Sequence, residues 1–547
     1  MTLPMRQRVP IWRLCCLALC CLWLCACGSD AASTLTQAKG EDDYLAFLDV
    51  EPASADPQCI LENYTVALNV FDRLVEVRGD NDALELEPSL ADSWEVSEDG
   101  LRYSFHLREN VKYSNGAELT TDDVRYSFER LITNPASVHG DLVMGVVGAE
   151  ELSEGKADSL AGFEVIDDHA FAITLAEPSA AFLASLSTPA ASILDQETTH
   201  DAGDAFGHDV RKTVGTGPFV LEDWEEGKSI VMEANRECWS GSPACPGLKM
   251  LFYSESDALQ EMFAQGKIDI LDLDKLGMDA EYLLRGADHQ RNIVKGRRVG
   301  ITYIALNESQ YPLGDVRVRK ALQLALDRPA LLRATADVEG RVENGILPTG
   351  LLGHNDELAY IPFDPQQATE LLAEAGFDDG FEMEVSYPLS APQSVRDLLS
   401  LAASMWREIG IRVFVVGVAP DEFAERRSAG ELTCYAATFS ADYDDPKDFM
   451  QPFFGSAENS AARSLCYDDE DVMERVRLAD AIVDEAWRIA TYQQLEEKIV
   501  QQDAAWIPLY SRMHYFVVSD RVEGFSVHWN GWSSNRYADV ALKTAGE

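Results

Sequence analysis

A short acidic segment in the last third of the chain holds the residues best suited to binding chemistry. Asp442, Asp444 and Asp445 lie between Ala441 and Pro446, directly after an apolar, strand-like stretch. A carboxylate at a strand end can accept charge-assisted hydrogen bonds from an ammonium group, provided that other donors hold it in place. The alternatives are an exposed loop acid and an aspartate that caps the next helix. The segment is therefore a candidate ligand site.

Motifs for catalysis and for metal binding are missing from the sequence. It contains neither the GxSxG nucleophile elbow nor the GxxxxGK[ST] phosphate loop. The nine histidines form no HxxxH or HExxH pattern, and no CxxC motif is followed by a histidine pair. We therefore expect a binding protein rather than an enzyme, with no cofactor and no metal site.

The segments that precede Asp442 alternate between strand and helix patterns. The predicted elements are, in order, strand 381–388, helix 393–409, strand 411–417, helix 420–429 and strand 434–440. This alternation implies a parallel sheet with helical crossovers. Ligands bind beyond the carboxyl ends of the strands in such sheets, which is where Asp442 lies.

The first 200 residues show a smaller and more irregular pattern. Tyr103, Phe105 and Leu107 alternate with polar residues behind a turn at 98–100, which predicts a hairpin with one buried face. Thr120 is followed by two acidic residues and then by apolar positions at helical spacing, which predicts the start of a helix. We expect this part to form a smaller α+β lobe.

Length and charge limit the class of protein. The chain has 547 residues, several times the roughly 150 expected of one domain, so several lobes are expected. It carries 93 acidic and 45 basic residues, a formal charge of −48. A surface potential of that sign repels phosphate backbones and anionic headgroups, so nucleic acid is a poor partner.

The N-terminal segment predicts export. Residues 1–13 hold three arginines and no acid, and the apolar run 14–26 is too short to span a bilayer. The run ends in LCAC followed by Gly and Ser, which looks like a bacterial lipobox with Cys27 as the lipidated residue. We expect residues 1–26 to be a lipoprotein signal peptide and 27–42 a tether. The alternative is an ordinary signal peptide that is cleaved near the same place.

The cysteines agree with export. Six of the 11 lie at or before position 27, which leaves an odd number in the remaining chain. Outside the reducing cytosol this suggests disulfides plus one spare thiol. We expect Cys238 to pair with Cys245 across a turn-rich insert, and Cys434 with Cys466, although buried reduced cysteines are the alternative.

Several ordered stretches together resemble a known family. They are SADPQ at 54–58, the block 91–131 around WEVSEDGLRYSFHLRENVKYSNG, GTGPFVLEDW at 215–224, LNESQYPLGDVRVRKALQLALDRPALL at 306–332, FDPQQATELLAEAGF at 363–377, FSADYDDPKDFMQPFFGS at 439–456 and AAWIPLYS at 504–511. The chain resembles the peptide-type solute-binding proteins of ABC importers, the family 5 extracellular proteins that include oligopeptide- and dipeptide-binding members.

The resemblance implies an α/β, periplasmic-binding-protein-like fold. Two large α/β lobes would be joined by hinge strands, with a smaller α+β lobe beside them. The implied ranges are 43–75 with 205–299 and 512–547 for lobe I, 76–204 for lobe II, and 300–511 for lobe III. The ligand would lie between lobes I and III.

The resemblance also implies a role for the acidic segment. In oligopeptide-binding members a W-x-A-D-Y aspartate takes the α-ammonium group of the peptide, and this motif stands here as Phe439, Ser440, Ala441, Asp442 and Tyr443. Asp442 is the matching residue. The departure at the first position, Phe439, keeps an aromatic ring but removes the indole donor.

Further ligand contacts are implied with less support from motifs. Family peptides pair with the protein by main-chain hydrogen bonds, here by position with Thr438 to Ala441 and with Glu62, Asn63 and Tyr64. Arg426 and Arg427 would bind the peptide carboxylate or form a solvated helix face, and Trp529 and Trp532 would line the cleft or pack ordinarily.

The resulting expectation is a receptor in the bacterial cell envelope. A lipid would anchor it to the outer face of the cytoplasmic membrane, as its sole membrane contact, and it would deliver short peptides to an ABC permease and ATPase. We expect a monomer. Alternatives keep the fold but bind a nickel chelate, haem, an opine or a sugar, or act as a surface sensor.

Overall fold

The computed structural model describes residues 43–80, 83–252, 262–263, 265–274, 293–335 and 339–543. The predicted signal peptide, the tether and Cys27 lie outside these described residues. Within the described ranges, no helix combines the length and the apolar character that crossing a membrane requires.

The described strands and helices alternate along much of the chain. The strands are β1 (Leu45–Asp49), β2 (Val75–Asp80), β3 (Ala83–Pro88), β4 (Ala91–Val96), β5 (Arg102–Leu107), β6 (Phe163–Val165), β7 (Ala170–Thr174), β8 (Phe219–Glu225), β9 (Ser229–Ala234), β10 (Gly247–Phe252), β11 (Ile270–Asp272), β12 (Ile293–Arg297), β13 (Gly300–Leu306), β14 (Arg341–Val342), β15 (Phe381–Pro388), β16 (Ile411–Val418), β17 (Cys434–Ser440), β18 (Trp506–Ser511), β19 (Met513–Val518), β20 (Val522–Glu523) and β21 (Ala541–Leu542). The helices are α1 (Thr65–Val70), α2 (Thr121–Thr133), α3 (Ala149–Ser153), α4 (Phe182–Ser185), α5 (Gln196–Ala202), α6 (Val316–Leu324), α7 (Arg328–Thr335), α8 (Pro365–Glu374), α9 (Gln393–Glu408), α10 (Pro420–Ser428), α11 (Pro446–Phe454), α12 (Ala457–Ala462), α13 (Glu470–Ala479) and α14 (Glu485–Glu497).

A seven-stranded sheet combines strands from distant parts of the chain, in the order β12-β19-β11-β1-β10-β9-β8. Strand β1, LAFLD, is buried at all five positions and pairs in parallel with β10 and β11. A strand that is covered on both faces reads as a continuous apolar run, which is what residues 45–48 show before Asp49 ends the strand.

A six-stranded sheet has the order β14-β18-β13-β17-β15-β16. Strands β15 and β16 run parallel, as do β15 and β17, with α9 and α10 as the connections between them. The parallel sheet predicted from the pattern of residues 381–440 is therefore confirmed. Its apolar interior strand β13, GITYIAL, is buried at every position.

Two chain crossings join these large sheets. The chain passes from β12 to β13 through Arg298 and Val299, and it returns from β18 to β19 through Arg512. The crossings contact each other, because the backbone N–H of Arg298 donates to the carbonyl of Arg512 at 3.0 Å. Asp274 accepts from the Arg298 guanidinium at 2.8 Å. This arrangement of two α/β sheets joined by hinge strands confirms the predicted fold class.

A four-stranded sheet, β4-β5-β7-β6, forms the smaller α+β part. The predicted hairpin is β4 with β5, and Tyr103, Phe105 and Leu107 are buried as the alternation requires. The predicted helix is α2, where the Asp123 carboxylate accepts from the backbone N–H of Thr120 at 2.9 Å.

The disulfide predictions were wrong, because the cysteines within the described residues carry free thiols. Cys245 is buried beside β10, and its thiol donates to the carbonyl of Gly247 at 2.9 Å, whereas Cys238 contacts the Ser240 hydroxyl at 3.3 Å. The two side chains therefore point at different partners.

The second predicted pair is also absent. Cys434 is buried in the core between the six-stranded sheet and helices such as α9, a face that Cys466 does not share. Cys466 instead lies beside Gly430. All four cysteines are therefore reduced, which is the alternative given with the prediction.

Candidate ligand site

The end of β17 is held in place by the hinge region. Ala441 donates its backbone N–H to the carbonyl of Val299 at 2.8 Å, and its own carbonyl accepts from the Asn530 side chain at 2.7 Å. Asn530 is fully buried, and its carbonyl accepts from Val299 at 2.9 Å. These bonds fix the direction in which the chain leaves the strand towards Asp442.

The other side of β17 is an open edge near this end, since none of the described strands pairs with it there. Strand β15 pairs with β17 at Tyr435, so β17 extends past the carboxyl end of β15. Backbone groups alternate between the two sides of an antiparallel strand. Because Ala441 is bonded to Val299, the backbone groups of Thr438 and Ser440 point away from β13, towards this open edge.

The acids of the segment have separate roles. Asp445 is buried and caps α11 through the N–H of Lys447 at 2.9 Å, and it accepts from Arg488 at 2.7 and 2.9 Å. The alternative of a helix cap therefore applies to Asp445. Asp444 accepts from the backbone N–H of Leu352 at 2.6 Å, so it holds a neighbouring loop.

Asp442 is the acid of this segment that keeps its carboxylate available. Its backbone N–H donates to buried Asp448 at 2.8 Å, and within the described part of the chain its carboxylate accepts no hydrogen bond. The side chain is open to solvent, yet enough protein surrounds it for desolvation to raise its pKa. Asp141 adds to the increase, and His139 and Arg463 oppose it.

Residues from two other parts of the chain face Asp442. Tyr64 lies just before α1. Desolvation is the main cause that raises the pKa of its hydroxyl, and the charge of Asp442 raises it further. The two side chains therefore lie near each other. The Tyr64 hydroxyl is 3.5 Å from Nε2 of His139, and both contact the carbonyl of Ile60. The site thus combines the loop before α1, the turn after α2 and the end of β17.

The remaining predicted residues of the loop before α1 take separate positions. Glu62 is exposed, and its charge adds to the increase in the pKa of Tyr64. Asn63 has a positive φ of 59° and donates its side-chain amide to the carbonyl of Val50. Glu62 and Tyr64 therefore lie within electrostatic range of one another, whereas the Asn63 amide is engaged by backbone.

Aromatic predictions divide between packing and the site. Phe439 meets Phe449 and Phe453 edge to face at 5.0 and 5.2 Å, so its ring is part of the packing under α11. Trp529 is buried in the same core, as the packing alternative stated. Trp532 is half-buried and stacks on Tyr64 at 5.2 Å.

Tyr443 is directed inwards. Desolvation raises the pKa of its hydroxyl, and the charges of Asp448, Asp445 and Asp480 raise it further. The hydroxyl therefore lies among buried acids. Thr438, by contrast, is exposed. Its hydroxyl contacts that of Thr302 at 3.0 Å, on the face of the sheet opposite to Phe439.

The paired arginines have different environments. Arg426 forms a 3.3 Å ion pair with Glu384, as expected for a helix face. Arg427 is half-buried, and its Nε atom has no hydrogen-bond partner among the described residues. The Arg427 guanidinium lies near Tyr303 and Tyr435, since its charge opposes the increase in their pKa values that desolvation causes.

Sequence reasoning did not find His139, Asp141 or Arg463. Arg463 follows α12 and stands over the Phe453 ring at 5.1 Å, close enough to Asp442 to lower its pKa. None of the three belongs to a motif, and each lies on a different segment from Asp442. A sequence signal for them is therefore missing. No cluster of possible metal ligands occurs in the ranges that the structure covers.

The fold agrees with comparisons to known proteins. The model of the bacterial extracellular solute-binding proteins, family 5, matches residues 85–461. The chain belongs to this family. It is therefore a solute-binding protein of the extracytoplasmic type that serves ABC importers.

Relatives of this chain are named for different ligands. "Heme-binding protein A" of Haemophilus influenzae is 29% identical over 87% of this chain and 88% of its own length. The "Dipeptide-binding protein" of Escherichia coli is 27% identical over 87% of this chain and 90% of its own. The structure of HbpA2 from Haemophilus parasuis has a TM-score of 0.76 at 25% identity, covering 92% of this chain and all of that one.

Proposed function

We propose that the protein binds short peptides and delivers them to an ABC permease and its ATPase. The observation that carries this proposal is the unbonded carboxylate of Asp442 beside the open edge of β17. A peptide supplies both an ammonium group and unpaired backbone groups. It is the solute that uses both features at once.

The proposed binding mode follows from the positions of the Asp442 carboxylate and the open edge of β17. The peptide's α-ammonium group donates to Asp442, and its backbone pairs with Thr438 and Ser440 as an added strand. Arg427 supplies a cation for the carboxylate end, because its guanidinium has no acidic partner among the described residues. Contacts to backbone and termini give low selectivity for side chains.

Haem is the competing ligand, because a relative is named for it. A haem site needs an axial donor. The His139 Nε2 atom contacts the carbonyl of Ile60 at 2.6 Å, and the Tyr64 hydroxyl contacts the same carbonyl at 3.2 Å. Both candidate donors are therefore engaged, which favours the peptide.

Isothermal titration calorimetry with tri-alanine and with haem tests this choice. We expect saturable one-to-one binding of tri-alanine and no haem binding that tri-alanine prevents. Haem binding without peptide binding would reverse the assignment. A nickel chelate, an opine and a sugar complete the panel of alternative solutes.

The proposal includes the organisation of the chain that the sequence predicts. Its lobes are 43–75 with 205–299 and 512–547, then 76–204, and 300–511. Support comes from the sheets, each of which draws its strands from one of these lobes. The protein acts as a monomer and a binding component, without catalysis, at the outer face of the cytoplasmic membrane.

Peptide affinity is expected to fall as the pH is lowered from about 7.5 to about 5. Desolvation raises the pKa of Asp442, so its carboxylate takes up a proton at a higher pH than an ordinary aspartate does. The peptide ammonium, with a pKa of about 8, stays charged over this range. Calorimetry at both values measures the change, and Asp442→Asn should show little pH dependence. Stronger binding in acid would contradict this assignment.

Lipidation at Cys27 is expected to hold the protein on the membrane. Cys27→Ser removes the thiol that would carry the diacylglycerol, so the variant should appear in the soluble envelope fraction after a salt wash. Cys59→Ser is a matched control and should leave the protein in the membrane fraction. A Cys27→Ser variant that stays with membranes would place the anchor elsewhere.

A further inference from the structure

Asp480 lies at a contact between the four-stranded and six-stranded sheet regions. It follows α13 and is 8% exposed. Its carboxylate accepts from the Ser179 hydroxyl at 2.7 Å and from the backbone N–H of Ala181 at 3.2 Å. Its carbonyl accepts from the N–H of Ala180 at 2.9 Å. One residue therefore receives three hydrogen bonds from the segment 179–181.

Lys447 connects this contact to the ligand site. Its ammonium group donates to Asp480 at 2.7 Å and to the Ser179 hydroxyl at 3.3 Å. Lys447 lies in the first turn of α11, between Asp445, which caps that helix, and Asp448, which holds the backbone of Asp442. The helix that fixes the ammonium-binding loop therefore also contacts the segment 179–181.

The four-stranded sheet region is attached elsewhere to the seven-stranded sheet region. Gln58 donates to the carbonyl of Ser127 at 2.8 Å and accepts from Arg130 at 2.7 Å. Ser114 donates its N–H to the carbonyl of Gly215 at 2.9 Å. A rotation about the two hinge crossings would carry these regions together, and it would separate the segment 179–181 from Asp480.

Packing around Asp480 is incomplete. A cavity of about 210 Å³ adjoins it, with Tyr103, Ser179, Ala481 and Arg488 among its lining residues. Apolar packing therefore does not fill this contact completely, and the hydrogen bonds to Asp480 add specific interactions to it.

We propose that Asp480, with Lys447 as its counter-charge, is a latch that holds the ligand cleft closed. Asp480 is a positioning residue: it acts by keeping the segment 179–181 against the region that carries Asp442. This inference rests on the proposed function in one respect: the ligand that the closed cleft retains is a peptide. A charge-assisted hydrogen bond is stronger than a neutral one, so losing this carboxylate should speed opening.

Asp480→Asn tests the latch, with Glu177→Gln as the matched control. The amide keeps the shape of the side chain but removes its negative charge. Its single oxygen cannot replace both carboxylate oxygens, one of which accepts from Ser179 and Lys447 and the other from the backbone N–H of Ala181. Glu177 forms a 3.3 Å pair with Arg477 across the same boundary, but its side chain is 75% exposed, so its contribution should be small. Hydrogen exchange of residues 178–183 is measured with and without tri-alanine, together with the dissociation rate of tri-alanine.

We expect Asp480→Asn to raise exchange at residues 178–183 and the dissociation rate by about tenfold each, with little change in association. Glu177→Gln should match the parent protein. Unchanged exchange and dissociation in Asp480→Asn would overturn the latch, as would faster exchange throughout the protein, which indicates a general loss of stability. If the parent does not bind tri-alanine, the proposed function fails, and the ligand-free exchange at 178–183 decides the latch alone.

Discussion

Replacing Asp442 with alanine is expected to weaken tri-alanine binding by about 2–5 kcal/mol, measured by calorimetry. The substitution removes the carboxylate to which the ammonium group donates, and it leaves that group without its charge partner. The backbone N–H of Asp442, which donates to Asp448 at 2.8 Å, is retained, so the loop should keep its path. Asp444→Ala is the matched control, because the Asp444 carboxylate already accepts from Leu352.

Acetylation of the peptide gives the second half of this test. N-acetyl-tri-alanine lacks the ammonium group, so it should bind the parent protein weakly. If both changes remove one interaction, the Asp442→Ala variant should discriminate much less between the free and acetylated peptides. Equal discrimination by the parent and the variant would mean that another residue binds the ammonium group.

Replacing Glu76 with glutamine is expected to lower the free energy of unfolding by about 3–5 kcal/mol. Glu76 accepts from Arg536 at 2.7 and 2.8 Å and from Arg73 at 3.2 Å. The variant deprives two largely buried guanidinium groups of their nearest counter-charge and leaves Asp72, at 3.7 Å from Arg536, as the remaining acid. Urea denaturation measures the loss, and Glu87→Gln on the same hairpin should cost little, since Glu87 is 48% exposed.

Acid provides an independent check on Glu76. Burial alone would raise its pKa, but Arg536, Arg73 and Arg78 outweigh burial and hold it at about 2, against an ordinary 4.5. The stabilisation from a lowered pKa is fully present above 4.5 and is lost as the pH falls towards 2. The parent protein should therefore lose more stability over this window than Glu76→Gln does. An equal loss in both proteins would show that Glu76 is not held by these arginines.

The strands, helices and turns that depend on neighbouring residues could be predicted from the sequence. The strands and helices of residues 381–440 were predicted from periodicity, and each of their observed ends lies within a residue of the prediction. The hairpin around Tyr103 and the start of α2 at Thr120 followed from turn and capping residues. These features depend on neighbours in the sequence.

The site was less predictable, because its residues come from distant segments. Asp442 could be selected from its position at a strand end, but Asp445 and Asp442 could not be assigned different roles without Arg488, which lies more than forty positions away. His139 and Arg463 carry no motif. The cysteine pairs failed for a related reason, since spacing alone does not determine where the side chains point.

Native mass spectrometry of the protein, isolated from cell envelopes without added ligand, tests the central claim most directly. The account predicts chains that carry one short peptide each, with free N-termini on the peptides released by denaturation. Asp442→Ala prepared in the same way should carry much less peptide. Chains that instead carry haem or another non-peptide solute, with no peptide in either protein, would contradict the account.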